Sequence, residues 1–131
     1  MSGEERISAI CKAVPEFKKL YNARVRHYIG KEHILNVYNE FEKYFAQHFQ
    51  IKKIEEFRLF LLLHDIGKSI AYEQGNRNMQ YNATVNELEN HQLKLGISSD
   101  DFCLYKALLN ASLIGLTLLA SSFVNSSRAL S

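Results

Sequence analysis

Proline occurs once and glycine six times in this chain of 131 residues. A turn-rich β protein spends more of both on its connections, so their scarcity points away from that class. Cysteine is nearly as scarce. Cys11 and Cys103 stand far apart and neither belongs to a CxxC pair, which excludes a cysteine-built zinc finger or dithiol redox motif. With no disulfide pattern the expected compartment is a reducing one, the cytoplasm, and both thiols read as small apolar filler. An excess of one charge is also missing. Lys and Arg number 16 against 14 Asp and Glu, a formal net charge of +2. That is too little for the basic footprint of a duplex nucleic-acid binder. The opening MSGEERISAI is acidic and polar, unlike a secretory leader.

What is present is globular composition, with 47% hydrophobic and 23% charged residues. The length suits one domain with a core of its own. Apolar spacing predicts a helix over residues 4–13, with Ile7, Ile10 and Cys11 on one face. Pro15 fits the first turn of a short second helix carrying Phe17, Leu20 and Tyr21. After a break at Gly30, residues 31–49 carry a helical stripe of Ile34, Val37, Phe41, Tyr44 and Phe45, with His33 in the first turn. Tyr44 and Phe45 read as core, with a homodimer contact as their other use. Residues 54–64 are apolar on nearly every face (Phe57, Leu59, Phe60, Leu61, Leu62, Leu63), which marks a central, buried helix, and Gly67 offers to end it.

Residues 71–82, with Gly75 and several Asn, read as an exposed loop. Val85, Leu88, Gln92 and Leu95 space a further helix stopped by Gly96. Ser98 or Ser99 caps the next, with Asp100 and Asp101 in its first turn and Phe102, Tyr105, Leu108 and Leu109 along it. Residues 107–127 carry no charge, but Asn110, Ser112, Thr117, Ser121, Ser122 and Asn125 interrupt them. A membrane span needs about 20 predominantly apolar residues, so a buried final helix followed by a frayed, Ser-rich end is expected instead. The fold class is therefore all-α: a single domain over residues 1–131, built as a bundle of about five to seven helices.

The chemistry concentrates in His64-Asp65-Ile66-Gly67-Lys68, placed directly after the apolar run FRLFLLL. A carboxylate at the end of a buried helix is costly unless it is paired, hydrogen-bonded or bound to metal, and the imidazole beside it needs a partner as well. A divalent cation satisfies both. A mixed nitrogen and oxygen set suits iron, manganese, zinc or nickel better than calcium. Two adjacent residues rarely suffice as ligands. A helix antiparallel to the buried one would bring His33 to them. His27, His48 and His91 read as ordinary surface or half-buried histidines.

KEHILNVYNEF followed by FLLLHDIGK resembles the HD domain superfamily of metal-dependent phosphohydrolases. The likeness extends over residues 24–115 and leaves 116–131 atypical. The family's motif is a His, then an adjacent His-Asp pair, then a distant Asp. The resemblance implies His33, His64 and Asp65 as metal ligands and a divalent ion as cofactor, with magnesium joining iron, manganese, zinc and nickel as options. It implies Lys68 as a basic residue near the substrate phosphate, and a small phosphoester, a nucleotide above all, as substrate; with a metal bound, Asp65 is expected both to ligate it and to orient the attacking water. Lys31 and Arg77 are further candidates for holding phosphate. One position departs from the pattern: Ser112 stands where the last Asp is expected, with Asn110, Asp100 and Asp101 as substitutes. Tyr81 and Asn82 occupy the region where some relatives carry an additional His-Glu pair, so at most a single-metal site is expected. The departure at Ser112 leaves a catalytically degenerate, ligand- or partner-binding domain as the alternative.

Overall fold

Helix α4 (Ile54–Leu63) is the axis of the computed structural model, which describes residues 1–111 and 124–129. Its last four residues, Phe60, Leu61, Leu62 and Leu63, are all buried. Each such side chain removed from water contributes about 1.5–3 kcal/mol, so this helix anchors the core as its composition predicts. Around it lie α1 (Gly3–Ala13), α2 (Phe17–Asn22), α3 (Gly30–Phe41), α5 (Lys68–Glu73), α6 (Gln80–Asn90), α7 (Gln92–Leu95) and α8 (Ser99–Asn110). The protein is all-α, as expected. One apolar cluster joins them, from Ile7 and Ile10 through Phe17, Tyr21, Ile34 and Tyr38 to Leu88, Tyr105 and Leu108.

Two neighbours fix what surrounds the C-terminal end of α4. Along α3, His33 faces His64 and Phe41 faces Phe57. Position rises on one helix as it falls on the other, so the two are antiparallel. Along α8, Asp101 pairs with Lys53, and Tyr105 lies 5.2 Å, ring to ring, from Phe60. These numbers rise together, so α8 runs in the same sense as α4 and carries Asn110 toward the end where His64 lies.

Helix ends follow side-chain chemistry. Ser2 and Glu5 form a reciprocal capping box at the start of α1. Ser98 caps α8 by accepting from the Asp101 amide at 3.1 Å. Gly75 and Gly96 both take φ of +70°. After each, the chain closes with paired 6→1 and 5→2 hydrogen bonds, from Asn76 to Ala71 and Gly75 to Tyr72, and from Ile97 to Gln92 and Gly96 to Leu93.

Several expectations need correction. Residues 71–82 are not one loop: α5 runs to Glu73, a 3₁₀ turn spans Arg77–Met79, and α6 begins at Gln80. The stripe over residues 31–49 does not continue as one helix. A π-helical turn, Glu42–Ala46, follows α3, and Phe49–Ile51 is a strand, β3. The wider π turn rotates the stripe away from the core. Tyr44 and Phe45 are each 53% exposed as a result. Gly67 does not end α4 in a left-handed conformation; it precedes α5 at φ −90°. A short hairpin, Arg24–Val25 (β1) with Tyr28–Ile29 (β2), leads into α3, and Gly30 opens that helix. Of the uncharged C-terminal stretch, residues 112–123 lie outside the described residues. Val124–Ala129 forms a strand, β4, antiparallel to β3, where a helix and a frayed end were expected.

The reason for glycine at position 67 is space. A Cβ there would lie 2.5 Å from the Ala83 carbonyl carbon and 2.8 Å from the Thr84 Cα, both backbone atoms of α6. The Gly67 amide donates to Thr84 Oγ1 at 3.1 Å in a buried position. Gly67→Ala is expected to destabilise the protein by about 3 kcal/mol, the upper end of overpacking costs, because backbone must move. Urea unfolding of the two proteins measures the difference; a shift below about 1 kcal/mol would show that α6 yields freely.

Candidate metal centre

The last turn of a helix leaves carbonyls without partners. At the end of α4 each of three is claimed. Leu61 O meets His64 Nδ1 at 2.6 Å. Leu62 O accepts from the buried Tyr21 hydroxyl at 2.7 Å. Leu63 O accepts from the Ile66 amide at 3.1 Å. The first of these sets the chemistry of His64. A carbonyl only accepts, so Nδ1 carries a proton, and in the neutral ring Nε2 is then the nitrogen free to ligate a metal. Tyr21 braces the same turn, and burial pushes its phenol well above the ordinary tyrosine value, so it remains a donor.

Asp65 follows in the turn and α3 supplies the third group. Asp65 Oδ2 lies 3.2 Å from His33 Nε2 and 3.4 Å from His64 Nε2. Ligand atoms on one ion with bonds of about 2.1 Å stand roughly 3.0–3.4 Å apart at octahedral to tetrahedral angles. The observed spacings match. The ligand atoms of His33, His64 and Asp65 all lie within 4.8 Å of one another, and among the described residues they are the one such group of His, Cys, Asp or Glu. This group can hold a metal ion. The carbonyl end of α4 adds partial negative charge on the same side, which further favours a cation. Side-chain exposures of 37% for His33, 21% for His64 and 23% for Asp65 place the group in a half-open position. Three protein ligands with access to solvent leave coordination positions free, the pattern of reactive sites; structural sites are closed.

Lys68, on the first turn of α5, stands beside the cluster with Nζ 5.3 Å from the centre of the Tyr28 ring. Burial works against its charge, but the Tyr28 hydroxyl and the Asp65 carboxylate outweigh it and hold the ammonium above its ordinary value. Tyr28 itself packs against His33, ring centres 5.1 Å apart.

The other sequence candidates fall elsewhere. Lys31 is engaged by Glu4 of α1 at 3.2 Å, not by the cluster. Arg77 lies on the ring of Tyr72, its Cζ 5.6 Å from the centre. Asp101 is buried in an ion pair with Lys53. That pair marks the start of α4, about 15 Å from His64 by helical rise, so neither Asp101 nor its exposed neighbour Asp100 completes the ligand set. Tyr81 and Asn82 lie on α6, where Asn82 contacts Met79 Sδ at 3.8 Å. Asn110 ends α8 in an exposed position, and Ser112 lies outside the described residues. His27 and His48 are exposed, and His91 is half-buried between Glu16 and Glu87 at 3.8 and 3.7 Å. Sequence reasoning overlooked Tyr28, Tyr72 and Arg26. A two-residue hairpin without glycine carries no strong sequence signal.

No family model, curated protein or solved structure matches the chain. Among the described residues no helix is long and apolar enough to cross a membrane.

Protein purified without chelators and then supplied with manganese, iron, zinc or nickel is expected to bind about one ion per chain, and His33→Ala or His64→Ala to abolish it while the helical signal persists. Metal analysis after gel filtration decides this, and unchanged stoichiometry in both variants would refute the site. Tyr21→Phe should lower stability by about 1 kcal/mol, the value of one buried hydrogen bond, as read from urea unfolding.

Proposed function

We propose that the chain is an HD-type, metal-dependent phosphohydrolase that cleaves a phosphomonoester or phosphodiester, with a nucleotide as the preferred substrate class. The observation that carries this reading is the meeting of His33, His64 and Asp65 at ligand spacing with open positions around them. The HDIGK segment supports it, as does Lys68 beside the cluster. A divalent ion held by His33, His64 and Asp65 would supply Lewis acidity there, lowering the pKa of a bound water and withdrawing charge from a phosphoryl oxygen.

The residues divide the remaining work. His33 and His64 offer ring nitrogens, and the Leu61 carbonyl holds the His64 ring in place. Asp65 presents a carboxylate beside both imidazoles; the oxygen not engaged as a ligand accepts a hydrogen bond from the water and orients it. Attack of that water on phosphorus breaks the P–O ester bond, and the alcohol leaves with a proton. Lys68, held cationic, offsets the charge that gathers on the phosphoryl oxygens.

Ser112 favours a second reading, in which the domain binds a ligand or partner without turnover. Hydrolysis of a panel of phosphoesters with added manganese, iron, zinc, nickel or magnesium separates the two. The first reading expects turnover that falls more than about 100-fold in His64→Ala, beyond the 10–100-fold typical of losing an outer-shell partner. No turnover with any ion, together with tighter metal binding in Ser112→Asp, would establish the second.

A further inference from the structure

A wall of alternating rings and cations leads away from the metal-ligand cluster. It starts at His33, whose ring lies 5.1 Å from that of Tyr28. Lys68 Nζ stands 5.3 Å from the Tyr28 ring centre. Tyr72 is one turn beyond Lys68 on the same face of α5. On the Tyr72 ring two guanidinium groups converge, with Arg26 Cζ at 5.7 Å and Arg77 Cζ at 5.6 Å from its centre. They come from different places: Arg26 from the turn between β1 and β2, Arg77 from the 3₁₀ turn after α5.

We propose that Arg26 and Arg77, gathered on Tyr72, form an anion subsite that takes a second phosphoryl group of the substrate, beyond the one held at the cluster. The proposal rests on the phosphohydrolase reading for what the first group is, but its residues are separate from the ligand set.

Three observations support it. The first is charge. Among the described residues no carboxylate lies within ion-pair distance of either guanidinium, as is also true of Arg24, whereas Arg6 and Arg58 are both paired with glutamates; what sets Arg26 and Arg77 apart is the shared Tyr72 ring. The Tyr72 ring is half-buried, and a cation on such a ring gains about 0.5–2 kcal/mol, less than a charged partner would give two guanidiniums sharing it. A phosphoryl group beside the ring offsets both positive charges, and the planar fork of arginine suits its oxygens.

The second is backbone conformation. Arg26 has φ of +56° at the first position of a two-residue hairpin turn, where glycine sits without cost. A side chain there costs about 1–2 kcal/mol. Among the described residues Lys53 is the other non-glycine case, and its ion pair with Asp101 accounts for its side chain. Arg26 has no such partner, so the strain serves to aim the guanidinium. The third is chain direction. The hydrogen-bonded reversal at Gly75 and Asn76, followed by the Asn76 side chain accepting from the Asn78 amide at 3.1 Å, folds the chain back so that Arg77 returns to Tyr72.

Calorimetric titration of the metal-free full chain with inorganic tripolyphosphate tests the subsite without any contribution from a bound ion. The double variant Arg26→Gly, Arg77→Gln is expected to bind at least tenfold more weakly. Arg24→Gln, which removes an exposed arginine outside the cluster, should change affinity less than twofold. Arg26→Gly alone should raise the melting temperature while weakening binding, which separates lost recognition from lost folding. Affinity within twofold of wild type in the double variant would overturn the subsite. So would an equal loss in Arg24→Gln, since binding would then be diffuse. Failure here with metal binding intact removes only the subsite. Success here in a chain that binds no metal removes only the hydrolytic reading.

Discussion

The contact between His64 Nδ1 and the Leu61 carbonyl carries more of this structure than its size suggests. It answers two needs at once. A helix that ends in the core has carbonyls to satisfy, and a ligating imidazole must have its tautomer chosen for it. Because the helix is apolar on nearly all sides, water cannot serve its last turn. Side chains and the following amide must, and His64 is one of them. The same burial that forces the contact therefore also directs Nε2 toward Asp65. Tyr21, from a helix early in the chain, completes the arrangement, so the ligand geometry is tied to the packing of α2 as well as α4.

Much of the scaffold was legible because its signals were local. The all-apolar face of residues 54–64 required a central position, and α4 has it. His33 needed a helix antiparallel to the buried one to reach His64, and α3 runs antiparallel to α4. Gly96 and Ser98 bounded their helices through conformation and capping, which depend on a few neighbouring residues only. Other features depended on contacts that a sequence does not display. The π turn at Glu42–Ala46 breaks a stripe whose apolar spacing continues unbroken. Gly67 looked like a helix stop, yet its reason lies seventeen positions on, in the α6 backbone it touches. The pairing of Val124–Ala129 with β3 joins segments remote in sequence.

The surroundings of the candidate site were the least legible part. His33, His64, Asp65 and Lys68 are marked by residue type and spacing. Arg26, Tyr28 and Tyr72 are ordinary in type and acquire meaning only through the hairpin and the reversal after α5. Lys31 shows the converse case: a cation two residues from the candidate ligand His33, turned to a glutamate on α1 and so removed from the site's chemistry.

The meeting of Gly67 and Thr84 has a mechanical meaning. Asp65 sits two residues before a glycine whose backbone rests directly on α6 and whose amide is held by the Thr84 hydroxyl. With no side chain between them, the position of α6 directly sets where the turn after Asp65 can lie. The segment joining α5 to α6 includes Arg77, so the turn that carries Asp65 and the segment that carries Arg77 both lean on the same helix.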